Sequence, residues 1–96
     1  MTVIVAYDVS TSSLRGRRRL RRVAQHCENF GVRVQKSLFE CVLREQDWVI
    51  LRTRLLGEME EKEDSLRFYF LDDATRKKTE HHGVRKPLDV EAALIA

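Results

Sequence analysis

Val3-Ile4-Val5-Ala6-Tyr7-Asp8-Val9 is the stretch that decides the fold. Its apolar residues, mostly β-branched, run without a break to a carboxylate, and Ser10-Thr11-Ser12-Ser13 follows as a turn. Such a run fits a central strand covered on both faces better than a half-wet edge strand. Asp8 is thereby delivered to the end of a rigid strand. Directly beyond the turn, Leu14-Arg15-Gly16-Arg17-Arg18-Arg19-Leu20-Arg21-Arg22 places six arginines within about two helical turns of that carboxylate. An acid suited to a divalent cation stands beside a surface suited to phosphates.

The arginines belong to a helix that Ser12 or Ser13 caps at its start and that Gly31, the residue expected just past a helix C-terminus, closes. Leu20, Val23, Ala24, Cys27 and Phe30 recur every three or four residues and form its core-facing stripe. Arg15, Arg18, Arg19, Arg22 and His26 fall on the opposite side, while Arg17 and Arg21 flank the stripe, Arg17 close to the helix start and so to Asp8. No acidic residue between Asp8 and Glu28 offsets the six charges. Self-repulsion of that kind is relieved by a polyanion.

Farther along, Val32-Arg33-Val34-Gln35 and Leu38-Phe39-Glu40-Cys41-Val42-Leu43 alternate around the polar break Lys36-Ser37. They read as two short antiparallel strands or as one long bent strand. Glu45-Gln46-Asp47 opens a second helix, its acids suited to the exposed amides there, with Trp48, Leu51, Leu55 and Met59 as its stripe and Ile50 and Leu56 widening it. The acidic run 58–64 reads as a solvated end and loop. Leu66-Arg67-Phe68-Tyr69-Phe70-Leu71 is a strand with Leu66, Phe68 and Phe70 on one face. Asp72-Asp73 reads as a turn, and in the basic stretch that follows only Thr79 to Val84 has the makings of a strand. Pro87 then breaks the chain, and the apolar tail from Leu88 to Ala96 is expected to dock on its own sheet or on a partner chain.

Strand, helix, two strands, helix, strand is the split βαβ plan, an α+β ferredoxin-like βαββαβ sandwich in which two helices back one face of a four-stranded antiparallel sheet. A chain of 96 residues makes a single domain, 1–96, too short to bury a large share of its surface. The sheet face away from the helices lacks a cover, and a homodimer packed through that face supplies one. The two Asp8 side chains then approach across the twofold axis. The net charge of +3 hides an uneven distribution, +6 over 15–22 against −4 over 58–64, so one face is the electrostatic footprint for nucleic acid. The first strand is too short for a secretory signal, no stretch approaches a membrane span, and Cys27 and Cys41, without metal spacing, read as buried reduced thiols. A cytoplasmic protein with no membrane partner is the expectation.

One carboxylate is too few for a tight magnesium site, because Mg²⁺ takes one or two carboxylates along with waters and phosphate oxygens. A pair of Asp8 side chains meets that need only marginally. Held so, Mg²⁺ or Mn²⁺ lowers the pKa of a bound water for attack on a phosphodiester, with Arg15 and Arg17 holding the phosphate. Competing chemistries are weak. His81 and His82 are adjacent and on a strand would point to opposite faces, Ser37 has no evident base, and there is no phosphate-cradling glycine loop. Gly16 is either a helix flaw or a point of close backbone approach, and Tyr7 points away from Asp8 into the core.

The Tyr7-Asp8-Val9 aspartate, Leu14-Arg15-x-Arg17 at the helix start, and Gly31-Val32-Arg33-Val34-Gln35-Lys36-Ser37-Leu38-Phe39-Glu40 together resemble the CRISPR-associated protein two family. The likeness extends through Ser65-Leu66-Arg67-Phe68-Tyr69 to the short tail. It implies a ferredoxin-like homodimer of prokaryotic adaptive immunity, a metal-dependent endonuclease on RNA or double-stranded DNA. It also implies a seat in the spacer-acquisition complex between two dimers of the integrase subunit. By the resemblance Asp8 is the metal aspartate, Arg15, Arg17, Arg33 and Phe39 serve nucleic-acid handling or activity, and Tyr7 and Ser37 are motif positions of structural weight. Leu38 stands where valine is usual. The further arginines, Arg18, Arg19, Arg21 and Arg22, suggest a stronger phosphate-binding surface, suited to duplex DNA. Two functions follow: an endonuclease that needs Asp8 and a metal, or a non-catalytic architectural DNA-binding bridge that needs only the arginine face. An RNA binder or toxin-like ribonuclease of similar fold shares the basic helix but does not require the 35–40 motif.

Overall fold

In the computed structural model, which describes residues 1–84, the elements follow one another as β1 (Thr2–Asp8), α1 (Leu14–Glu28), β2 (Val32–Gln35), β3 (Leu38–Val42), α2 (Glu45–Glu58), β4 (Ser65–Leu71) and the short α3 (Asp73–Lys77). The strands form one antiparallel sheet in the order β2-β3-β1-β4. The apolar run is therefore central, flanked by β3 and β4. The two-strand reading of 32–43 holds, with a register shift between Arg33 and Gln35. The proposed docking of the tail, 87–96, lies outside the described residues.

Alternation along β1 sends Val3, Val5 and Tyr7 beneath the helices, where they join Phe39 and Cys41 of β3, Val23 and Cys27 of α1, and Leu51 and Leu55 of α2. Burying each of the larger of these side chains stabilises the fold by about 1.5–3 kcal/mol. Trp48 closes one end of this core edge-on to Phe68 and Phe70, at 4.8 and 5.4 Å between ring centroids. On the other face Ile4 lies between Glu40 and Tyr69, and Ala6 between Leu38 and Arg67. Ile4 and Ala6 are only half-buried, so within one chain β1 is fully covered on its helix side alone.

Several boundaries differ from the sequence reading. Helix α1 stops at Glu28, capped by Asn29, and Gly31 has no left-handed backbone. Gly31 is needed for another reason: a side chain there would meet the Cys41 sulfur and the Glu40 carbonyl, so only glycine lets this loop lie against β3. On α2, Ile50 and Leu56 are exposed at 42% and 40% and do not widen the buried stripe. Asp72 is not a turn residue but the N-cap of α3, its carboxylate accepting from the Thr75 amide at 2.7 Å. No strand forms over 79–84. His81 and His82 are exposed there, contacting the Val84 carbonyl and Glu80 respectively.

Candidate nucleic-acid interface

The end of β1 is fixed from several sides. Ser13 caps α1, its hydroxyl accepting from the Gly16 amide at 3.0 Å. Gly16 touches the Ser10 carbonyl so closely that no side chain fits, which settles its role as a close backbone approach. The Ser10 amide in turn donates to Asp64 at 3.1 Å. Tyr7, one residue before the strand end, donates its backbone N–H to the Ser37 carbonyl at 3.1 Å and its hydroxyl to the Lys36 carbonyl at 3.3 Å. The loop that leaves Asp8 is thus tied to the start of α1, to the loop before β4 and, through Tyr7, to the β2–β3 turn.

Asp8 itself is exposed, and its side chain has no hydrogen bond or ion pair among the described residues. Its cross-strand neighbour is Ser65. Among the described residues no three His, Cys, Asp or Glu side chains gather into a metal-binding group. A free carboxylate on a rigid strand end fits a hard divalent ion that keeps most of its shell as water and phosphate oxygens. It does not fit a closed site made only of protein ligands.

On the helix side of the same strand end, a cleft of about 590 Å³ opens between α1 and the β2–β3 turn. Its cations are Arg17 and Arg21 from α1, Arg33 from β2 and Lys36 from the turn. Tyr7, Ser37, Leu20 and Ala24 contribute to the walls, and Gln25 and Glu28 complete them. Arg17 is held by the Thr11 carbonyl at 3.3 Å. Arg33 spans 3.4 Å to Glu28 and lies over the Phe39 ring at 5.2 Å. Phe39, fully buried, stacks on Tyr7 at 6.2 Å. Burial pushes the Tyr7 hydroxyl above its ordinary pKa, which the nearby Arg33 partly counters. The motif residues Tyr7, Arg17, Arg33, Ser37 and Phe39, separated by up to 32 positions in sequence, thus converge on one place.

The remaining arginines divide. Arg18 is exposed, beside Arg21, Arg22 and Gln25. Arg15 shares a second hollow of about 400 Å³ with Arg19, Glu60, Lys62 and Glu63, so its surroundings are of mixed charge. Arg19 and Arg22 are not the free phosphate-facing groups the helix pattern suggests. Arg19 donates to Asp64 at 2.8 and 3.2 Å and to Glu63 at 2.9 Å, with 11% of its side chain exposed. Arg22 donates to Glu58 at 2.7 Å, and His26 reaches the same carboxylate at 3.2 Å. Glu58 lies in the last turn of α2, where the helix dipole disfavours an anion, and the two basic groups from α1 offset that. The acidic run is accordingly only partly a solvated end: residues 60–63 are exposed, while Glu58 fastens α1 to the end of α2 and Glu63 and Asp64 fasten it to the loop before β4. Asp64, with 1% of its side chain exposed, accepts from Arg19, Ser10 and Glu60, and the Arg19 guanidinium, foremost among these, holds its carboxyl below the usual range.

Lys36 is the cleft cation that the sequence does not single out, and Arg21 stands out there only as one of a cluster of further arginines. The helix pattern puts Arg21 only at the border of the stripe, and Lys36 reads only as part of a polar break. The one available signal is that a tight β2–β3 turn must return toward the helix that precedes it.

Comparison with known proteins finds relatives over most of the chain. The family model described as CRISPR associated protein Cas2 matches residues 1–79. A protein of Chlorobaculum tepidum named CRISPR-associated endoribonuclease Cas2 is 53% identical over 95 residues, covering 99% of each chain. One of Halalkalibacterium halodurans named CRISPR-associated endonuclease Cas2 is 43% identical, again over 99% of each. The crystal structure of Streptococcus pyogenes Cas2 at pH 6.5 superimposes with a TM-score of 0.77 at 43% identity, covering 86% of this chain and all of that one.

Proposed function

We propose, from the premise that this chain belongs to the Cas2 family of CRISPR-associated proteins, that it is a metal-dependent endonuclease of the spacer-acquisition machinery. It hydrolyses phosphodiester bonds of double-stranded DNA or RNA as a cytoplasmic homodimer. The observation that carries this reading is the unpartnered Asp8 carboxylate at a rigid strand end, one residue from Tyr7 in the wall of a cationic cleft. The half-buried Ile4 and Ala6 on the helix-free sheet face support a second copy packed there, with Asp8 contributed by each chain.

In this mechanism Asp8 from the two protomers would hold Mg²⁺ or Mn²⁺, which would supply a water of lowered pKa and charge to steady the leaving oxygen. Arg17 and Arg33 bind phosphate oxygens of the substrate strand, and the Phe39 face beneath Arg33 helps to orient that guanidinium. Tyr7, through its amide and its hydroxyl, and Ser37, through its carbonyl, lock the β2–β3 turn to the strand that carries Asp8. Arg15 and Arg18, exposed on the rest of the helix, extend the phosphate track.

One observation favours a second reading, in which the protein is a non-catalytic DNA-binding bridge between dimers of the integrase subunit. The chain offers a single free carboxylate at the strand end and, among the described residues, no group of three or more acids, histidines or cysteines placed to hold a metal, but several exposed cations. Phosphate binding alone gives steep salt dependence, about −0.9 in log–log slope for each phosphate neutralised. Cleavage of labelled duplex DNA and single-stranded RNA with and without Mg²⁺, for wild type and Asp8→Ala and with binding followed in parallel, separates the two. Loss of metal-dependent cleavage in Asp8→Ala with binding retained upholds the enzyme. Equal cleavage by both proteins, or tight binding with no cleavage by either, leaves the bridge.

A further inference from the structure

We propose that the cleft between α1 and the β2–β3 turn is a pocket for the phosphorylated end of a nucleic-acid strand, taking one terminal nucleotide with its phosphomonoester. This deepens the nucleic-acid reading above and rests on it. A backbone track and an end pocket make different demands. An internal phosphodiester carries one negative charge and continues on both sides, so it is served by cations spread along a surface. A phosphomonoester carries nearly two charges at neutral pH and three acceptor oxygens at one point, and it calls for cations that converge.

The cleft has the second character. Arg17, Arg21, Arg33 and Lys36 enter it from three separate elements against one acid, Glu28. Arg21 and Lys36 are exposed and make no side-chain hydrogen bond or ion pair among the described residues. Arg17 is bonded only to a backbone carbonyl, and the Arg33–Glu28 pair, at 3.4 Å, is loose. Those groups are available to a ligand without the breaking of a strong pair. The neighbouring flank of the same helix shows the alternative, since Arg19 and Arg22 are occupied by carboxylates at 2.7–2.9 Å. At about 590 Å³ the cleft holds a nucleotide rather than a bare anion. Its wall includes the half-buried Leu20 and Ala24, which give a sugar or base an apolar surface beside the converging charges.

The test measures affinity by competition against a labelled duplex, using the full chain and four unlabelled duplex DNAs of equal base content. Three are linear, with 5′-phosphate, 3′-phosphate or only hydroxyl ends, and the fourth is a closed circle. The expected result is that one phosphorylated linear duplex binds roughly tenfold tighter than the hydroxyl-ended one, the gain of a charge-assisted contact. Whichever end shows the gain identifies the polarity of the bound strand. In Arg21→Gln/Lys36→Gln that preference disappears, while Arg52→Gln, exposed on α2 and outside the cleft, keeps it. A thermal melt matching wild type shows that the double variant is folded. Equal affinity for phosphorylated and hydroxyl ends, with the circle still bound, overturns the end pocket and leaves nucleic-acid binding standing. A preference that survives in the double variant also overturns it. Failure to bind any of the four overturns both.

Discussion

On one flank of α1, Arg19 and Arg22 reach across to Glu63, Asp64 and Glu58; on the other, Arg17 and Arg21 face an open cleft whose only acid among the described residues is Glu28. All four arise from a single run of sequence, and their spacing along the helix does not distinguish them. What separates them is the element each flank meets. One meets the acidic C-terminal end of α2 and the loop before β4, the other the basic turn between β2 and β3. A basic helix therefore divides its charges between holding the fold and meeting a ligand, and the division is decided by residues 36 to 45 positions away.

The largest effect that would break this comparison is at Asp64. Replacing it by Asn keeps the shape but sets an amide N–H₂ against donors from Arg19, Ser10 or Glu60. Calorimetry should show a fall in Tm on the order of 10 °C, the scale of unsatisfied buried polar groups in a domain of this size. A melt within a degree or two of wild type would mean that the stapled flank holds nothing.

Next in size is the contrast in binding. Arg17→Ala and Arg21→Ala should each weaken duplex binding several-fold and flatten the log–log salt slope by about 0.9 for each phosphate no longer neutralised. Arg19→Ala and Arg22→Ala should lower Tm and leave that slope nearly unchanged. Fluorescence anisotropy over a salt series, with melts of the same variants, reads both quantities, and equal slopes in all four variants would erase the distinction between the flanks.

Acid should loosen the stapled flank. Asp64 is held below its ordinary carboxyl range chiefly by Arg19, and Glu58 chiefly by Arg22. The folded state then binds protons less readily than the unfolded chain. The stability these groups contribute is fully present above their ordinary values of 3.8 and 4.5, and it is lost as pH falls below them through the depressed folded values. Tm should be level down to about pH 5 and fall below it, and the fall should be shallower in Glu58→Gln. The smallest change expected is a gain. Gly57, in the last turns of α2, has open space where a side chain would stand. Gly57→Ala should stabilise by about 0.4–1 kcal/mol by restricting the unfolded chain, without altering either flank.

The fold was largely legible because its signals are local. The unbroken run at β1, the Ser13 cap, the apolar stripe of α1 and the alternation on each side of Lys36-Ser37 each state an element within a few residues. The motif residues were legible through resemblance, and their convergence on one cleft is a tertiary fact. The roles of Glu58 and Asp64 were hidden for the same reason, since no short-range pattern pairs Arg19 with a residue 45 positions on. Ile50 and Leu56 misled because hydrophobicity near a stripe does not decide which side of the helix meets the sheet. Asp72 concealed a helix because two adjacent aspartates look like a turn, although Thr75 three residues later is what a capping carboxylate reaches.

The two cysteines have a practical consequence. Cys27 in α1 and Cys41 in β3 are both fully buried, and burial pushes each thiol up to about 12. Neither is a thiolate at neutral pH, and alkylating reagents reach neither while the helix layer rests on the sheet. A cysteine introduced at an exposed position can therefore be labelled for fluorescence or spin-label work without removal of the native pair. The native pair, left in place, becomes a clock: the rate at which a maleimide consumes it measures how often the helices lift from the strands.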